Sequence, residues 1–168
     1  MAPQNVQLEF SSFLDREIIP KVKHPAVRSG HGAVEVVLLS CMDFRYPHRI
    51  LDSMDERGLR GKYDHLILAG ASLGVVHAPE WQKTFLDQLK FAVDKHGATQ
   101  VIILDHRDCG AYREYLHVTA DDPAKEKAAH EQQARMAMDL IVQALPSLKG
   151  NVHSLLLPIE HVDELGCA

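Results

Sequence analysis

Val, Ile and Leu gather in four short runs along the chain: AVEVVLLS (33–40), HLILAGAS (65–72), TQVIILDH (99–106) and VHSLLLPIE (152–160). Aliphatic and β-branched runs of this length predict strands, and the almost continuous apolar character of the middle two predicts strands covered on both faces. Between them the period changes. In PEWQKTFLDQLKFAVDKHG, Trp81, Phe85, Leu89, Ala92 and Val93 fall on one stripe, with Pro79 in the first turn and Gly97 at the end, which predicts a helix over 79–97. A second helix follows Asp121, Asp122 and Pro123, carries Met136, Leu140 and Ile141, and ends near Leu145 before Pro146. A shorter one after Pro47 carries Ile50, Leu51 and Met54 towards Gly58. An N-terminal helical arm at about 5–20, clearest over 7–19, carries Phe10, Phe13, Leu14 and Ile18. Strands alternating with helices predict an α/β fold with a mainly parallel central sheet flanked by helices, in which the carboxyl ends of the strands share one rim.

Composition narrows the class. The 168 residues suit a single domain. With 46% hydrophobic and 24% charged residues, and no run near the roughly 18 apolar residues of a membrane span, the chain reads as soluble. Its start, MAPQNVQLEF, lacks the basic end and apolar stretch of a secretory signal, so a cytoplasmic location is expected. A formal charge of −5 without a basic block argues against nucleic acid as a partner. Cysteines at 41, 109 and 167 are odd in number and far apart, which argues against a disulfide framework and turns attention to metal or thiol chemistry.

That chemistry collects at strand ends. Cys41 follows the first strand, and the third runs straight into His106, Arg107, Asp108 and Cys109. If the first and third strands are neighbours, both groups meet in the crevice where such sheets bind ligands. Two thiolates and an imidazole suit Zn2+, and three protein ligands leave a fourth position for water, whose pKa the metal lowers from about 16 to around 7. In an extended stretch Cys41, Asp43 and Arg45 share a face. Arg45 would then hold Asp43 ionised and aimed, and keep it from becoming a fourth ligand that closes the site. With eleven histidines in the chain, an H-x-x-C match arises by chance about one time in five, so its weight comes from the conjunction with C-x-D-x-R.

The C-M-D-F-R of 41–45 and the H-R-D-C-G-A of 106–111 resemble the C-x-D-x-R and H-x-x-C-G motifs of the β-class carbonic anhydrases, and Ala69-Gly70 after the second strand extends the resemblance over about 33–116. The resemblance implies zinc on Cys41, His106 and Cys109, an Asp43–Arg45 dyad, a parallel α/β core, a homodimer or higher homo-oligomer, and reversible hydration of carbon dioxide to bicarbonate. Two departures bear on the substrate. Ile67-Leu68 replaces the usual Arg-Asn before Ala-Gly, and AVRSGHGAVEVVLLS lacks the glutamine that typical members carry there. Hydrolases of carbonyl sulfide and carbon disulfide resemble the same family, and a catalytically silent zinc protein is a further reading.

Other candidates divide between chemistry and packing. Gly70 and Ser72 would either offer donors to a substrate or form a tight turn. Tyr46, Tyr112 and Tyr115 flank the motifs and read as packing residues, His48 is a candidate proton acceptor, and Cys167 reads as unligated. A thiol enzyme with Cys109 activated by His106 would leave Cys41 without a role.

Overall fold

The computed structural model describes residues 5–22 and 34–161. Helix α1 (Val6–Phe13) starts at Asn5, whose side-chain oxygen accepts the Leu8 N–H, and winds on through a π turn at Leu14–Ile18. Strand β1 (Val36–Ser40) leads to α2 (Pro47–Glu56), β2 (Tyr63–Ile67), α3 (Ser72–His77) and α4 (Pro79–Phe91), which continues as a π turn to His96. Strand β3 (Gln100–His106), α5 (Gly110–Leu116), α6 (Pro123–Ala144) and β4 (Val152–Leu157) complete the order. The strands form one parallel sheet in the order β2-β1-β3-β4, as the alternation of strands and helices predicts.

The helix signals in the sequence act as read. Asp122 accepts the Lys125 N–H and Pro123 opens α6, while Gly97, at φ 80°, turns the chain out of the helix that Pro79 began. The second predicted strand is displaced. The sheet takes Tyr63–Ile67, whereas Leu68 to Ala71 form a turn and Ser72 opens α3. Strand β2 also lies at the sheet edge and is only half-buried, so its apolar run does not mark a strand covered on both faces. The last strand stops at Leu157 and not at Glu160, because Pro158 has no N–H to continue the ladder. The first begins at Val36, and Ala33 lies outside the described residues, as does Cys167.

Side-chain alternation distributes the core over two faces. Val37 and Leu39 of β1 and Val101 and Ile103 of β3 point to α4 and α6, where Phe85, Leu89, Ala137 and Ile141 meet them. Val36, Leu38, Ile102 and Leu104 point the other way, onto Phe10, Leu14 and Ile18 from the N-terminal arm and Ile50 and Met54 from α2. Trp81, Leu51 and Met136 were expected within helix stripes but are exposed. Trp81 lies instead over Gly74 of α3.

Gly74 is itself a position without room. A Cβ there would stand 2.7 Å from the Ala69 carbonyl oxygen and 3.0 Å from the Leu68 Cβ. Gly74→Ala is therefore expected to cost about 1–3 kcal/mol through forced backbone displacement, read as a lower urea midpoint at unchanged slope.

Candidate functional site

Parallel pairing places Ser40 of β1 opposite Leu104 of β3, so Cys41 and His106 emerge beside each other at the carboxyl rim. Three residues after His106, Cys109 occupies the N-cap position of α5. The Cys41 Sγ, Cys109 Sγ and one His106 ring nitrogen all lie within 4.8 Å of one another. The sulfurs are 3.9 Å apart, against the roughly 3.8 Å edge of a zinc tetrahedron with 2.3 Å Zn–S bonds. His106 Nδ1 donates to the Arg107 carbonyl at 2.9 Å, which fixes the tautomer and leaves Nε2 bare. That buried Nε2 has no hydrogen-bond partner. A soft donor pair beside an unsatisfied imidazole nitrogen fits a metal ion such as zinc.

The sulfurs polarise one another. A hydrogen bond from Cys109, aided by His106 and the Gly70 N–H at 3.3 Å, outweighs burial and lowers the Cys41 thiol well below its ordinary range. Cys109 is pushed up, first by its bond to Cys41 and then by burial, since adjacent thiolates repel. Burial penalises the His106 cation, but the adjacent Cys41 sulfur with its negative charge, followed by the Arg107 carbonyl, wins and raises the imidazole's pKa.

Asp43 reaches the cluster with Oδ2 3.8 Å from His106 Nε2. Arg45 grips it through Nε to Oδ1 and Nη2 to Oδ2, both at 2.9 Å, while the Arg45 backbone N–H also donates to Oδ1. Burial pushes the Asp43 carboxyl up, and these bonds more than reverse it. The inward face expected of an alternating 41, 43, 45 is present, with Met42 (68% exposed) and Phe44 (71%) turned outward. The backbone differs: a turn begins at Phe44, because Asp43 captures the Arg45 N–H in place of a strand partner.

Several residues beyond the predicted ligands and the Asp43–Arg45 dyad bind this frame. Asp108 sits between His106 and Cys109 with φ 56°, a left-handed backbone disfavoured for any residue with a Cβ. Arg45 holds its carbonyl at 2.9 Å and its carboxylate at 3.2 Å, and Arg113 binds the carboxylate at 2.8 Å. Glu126 of α6 accepts from the Asp108 N–H and from Arg107 Nε. Tyr46 packs its ring 4.5 Å from that of His106, and its hydroxyl donates to the Pro158 carbonyl at 3.0 Å. Motif spacing marks Asp108, but nothing local marks Glu126 or Asp105.

The remaining candidates are dispersed. Gly70, at φ 73°, belongs to the tight turn and donates its N–H to Cys41. Ser72 is fully buried and commits its hydroxyl to Asp105 at 2.7 Å and to Tyr112 at 3.0 Å. Burial pushes the Asp105 carboxyl up to about 7 against those Ser72 bonds. Tyr115 is exposed beside His77, and His48 is exposed on α2.

A sequence profile of the family described as "Putative carbonic anhydrase" matches residues 32–155, and the chain belongs to that family. An uncharacterized protein of Rickettsia bellii is 34% identical over 131 residues, spanning 76% of this chain and 79% of that protein. Uncharacterized protein RC0076 of Rickettsia conorii is also 34% identical over 131 residues, spanning 76% and 69%. The fold is that of the β-carbonic anhydrases. A tetrameric β-carbonic anhydrase of Sordaria macrospora superposes with a TM-score of 0.53 at 14% identity, over 89% of this chain and 85% of that one. No helix among the described residues is long and apolar enough to cross a membrane.

Tyr112 connects the site to one further buried group. His130 of α6 stacks on its ring at 3.7 Å, is almost wholly buried, and has neither nitrogen bonded. Burial, then the charges of His106 and Arg107, lower its pKa from 6.5 to about 3. The folded protein therefore holds His130 neutral while the unfolded chain takes up a proton below about 6.5. Stability is expected to fall by up to about 1.4 kcal/mol per pH unit between 6 and 3 from this group alone. Urea titrations across that window should lose that part of the slope in His130→Leu.

Proposed function

We propose that the chain is a zinc-dependent carbonic anhydrase, interconverting carbon dioxide and water with bicarbonate and a proton. The observation that carries this reading is the convergence of Cys41, Cys109 and an unpartnered His106 Nε2 beside an Asp43 that Arg45 holds in a bidentate grip. Cys41, His106 and Cys109 would hold the metal, which supplies Lewis acidity and so makes hydroxide available near neutral pH.

The protein's own residues do the rest. Arg45 keeps Asp43 ionised, so its carboxylate accepts a hydrogen bond from the attacking oxygen and aims that oxygen's lone pair at the carbon. Held this way, Asp43 is not free to take the fourth coordination position, which disfavours the silent-protein reading. His106 is fixed by the Arg107 carbonyl on one side and the Tyr46 ring beneath it. Gly70 steadies Cys41 through its N–H, and Ser72 acts behind the site by holding Asp105.

Substrate and assembly follow from the rim. Met42, Phe44 and Ile67 (55% exposed) make the rim around Cys41 apolar, with Ile67 where typical family members carry arginine. An apolar mouth suits a small uncharged cumulated molecule, so hydrolysis of carbonyl sulfide or carbon disulfide by the same cluster is the second reading. The same exposed side chains and the open edge of β2 support a homodimer or higher homo-oligomer, and the Sordaria macrospora protein of this fold is tetrameric. Paired thiol ligands suit a reducing cytoplasm.

The zinc-loaded chain is expected to hydrate carbon dioxide in stopped-flow assays well above the buffer rate between pH 7 and 9, and faster than it hydrolyses carbonyl sulfide. A reversed order of rates selects the second reading. Arg45→Ala should lose at least 100-fold in kcat/KM with about one zinc per chain retained, while Cys41→Ser loses the zinc itself. Near-normal turnover in Arg45→Ala would remove Arg45 from the mechanism.

A further inference from the structure

Helix α6 carries a buried polar stripe, Glu126, His130 and Gln133, on a face that otherwise presents Ala134, Ala137 and Ile141. Glu126, 1% exposed, is the member that touches the cluster's own loop. Its Oε1 accepts the Asp108 N–H at 2.5 Å and its Oε2 accepts Arg107 Nε at 2.9 Å. These are the two residues that separate His106 from Cys109. A single carboxylate thus spans the interval of the H-x-x-C motif from outside it, eighteen residues further along the chain.

The location explains why a charge is retained there. The first turn of a helix favours an anion, and Asp122 caps α6 four residues before Glu126. Arg107 supplies the counter-charge. The bond to the Asp108 N–H fixes the one non-glycine residue of this loop that must adopt a positive φ, and that φ turns the chain so that the next side chain, Cys109, faces Cys41. Arg45 and Arg113 grip Asp108 by its oxygens, so its N–H is the remaining handle.

We infer that Glu126 is a positioning residue for the metal cluster: it sets the separation of His106 from Cys109 and thereby the affinity of the site for zinc. It acts through the backbone of Asp108 and the side chain of Arg107 and touches neither metal nor substrate. The inference rests on the reading of Cys41, His106 and Cys109 as ligands, but not on which substrate the site turns over.

Zinc affinity of the full-length chain, measured by competition with a chromophoric chelator, tests it alongside the visible spectrum of the cobalt(II)-loaded protein. Glu126→Ala should bind zinc 10–100-fold more weakly and alter the thiolate-to-cobalt charge-transfer band. Glu126→Gln keeps an acceptor for the Asp108 N–H and should recover most of the affinity. Gln133→Ala, buried on the same helix face, should stay within twofold of wild type. Affinity within twofold in Glu126→Ala, or an equal loss in Gln133→Ala, would overturn the inference. If Glu126→Ala does not fold, Glu126→Asp takes its place: one methylene shorter, it cannot reach both partners and must lose at least fivefold. A wild-type chain that binds no zinc would overturn this inference together with the proposed function. A chain that binds zinc tightly without hydrating carbon dioxide would remove the reaction alone.

Discussion

Parallel pairing of β1 with β3 is the constraint on which the other features depend. Adjacent strands running the same way bring two distant stretches of sequence to one rim, and register then decides which residues face each other there. Ser40 opposite Leu104 leaves Cys41 one step beyond β1 and His106 at the very end of β3. A slip of one residue would turn Cys41 to the opposite face of the sheet, because side chains alternate. Register is held by the core: Val37, Leu39, Val101 and Ile103 fit one helical layer while Val36, Leu38, Ile102 and Leu104 fit the other. Packing far from the rim thus fixes the chemistry at the rim.

A network of alternating charge surrounds the cluster. Asp43, Arg45, Asp108 and Arg113 form a chain of carboxylates and guanidiniums, and Glu126 of α6 pairs with Arg107 of the same loop. Partly buried ion pairs of this kind gain little net stability, because desolvation offsets their attraction. Their value here is geometric. Each guanidinium has a fixed fork, so a carboxylate bound through two oxygens has one orientation, and Asp43 is bound that way.

Much of this was legible from the chain. C-M-D-F-R and H-R-D-C-G carry their chemistry in residues close together, and apolar runs ending at both motifs announce that strand ends bring them together. The long helices were legible because Pro79, Pro123, Asp122 and Gly97 punctuate many turns of regular pattern. Helices α3 and α5 were not, since six or seven residues make too few turns for a stripe to emerge. The turn at Leu68–Ala71 was legible in part: Gly70 offered a tight turn, but Leu68 and Ala69 are as apolar as a strand, so the predicted strand ran on through them, and only the backbone shows that Ala71 also takes positive φ. Glu126 and Asp105 were out of reach because their partners are set by tertiary packing.

The tie from Tyr46 to Pro158 has a consequence for the order in which the protein is made. Cys41 and Cys109 are both in the growing chain once residue 109 is synthesised, but the Tyr46 ring that supports His106 is anchored only when the Pro158 carbonyl beyond β4 has been added. At about 5–20 residues per second, the thiols wait roughly two to ten seconds before their scaffold is complete. During that interval they are nucleophiles on an unfinished chain, open to oxidants and to whichever soft cation the nascent chain meets first.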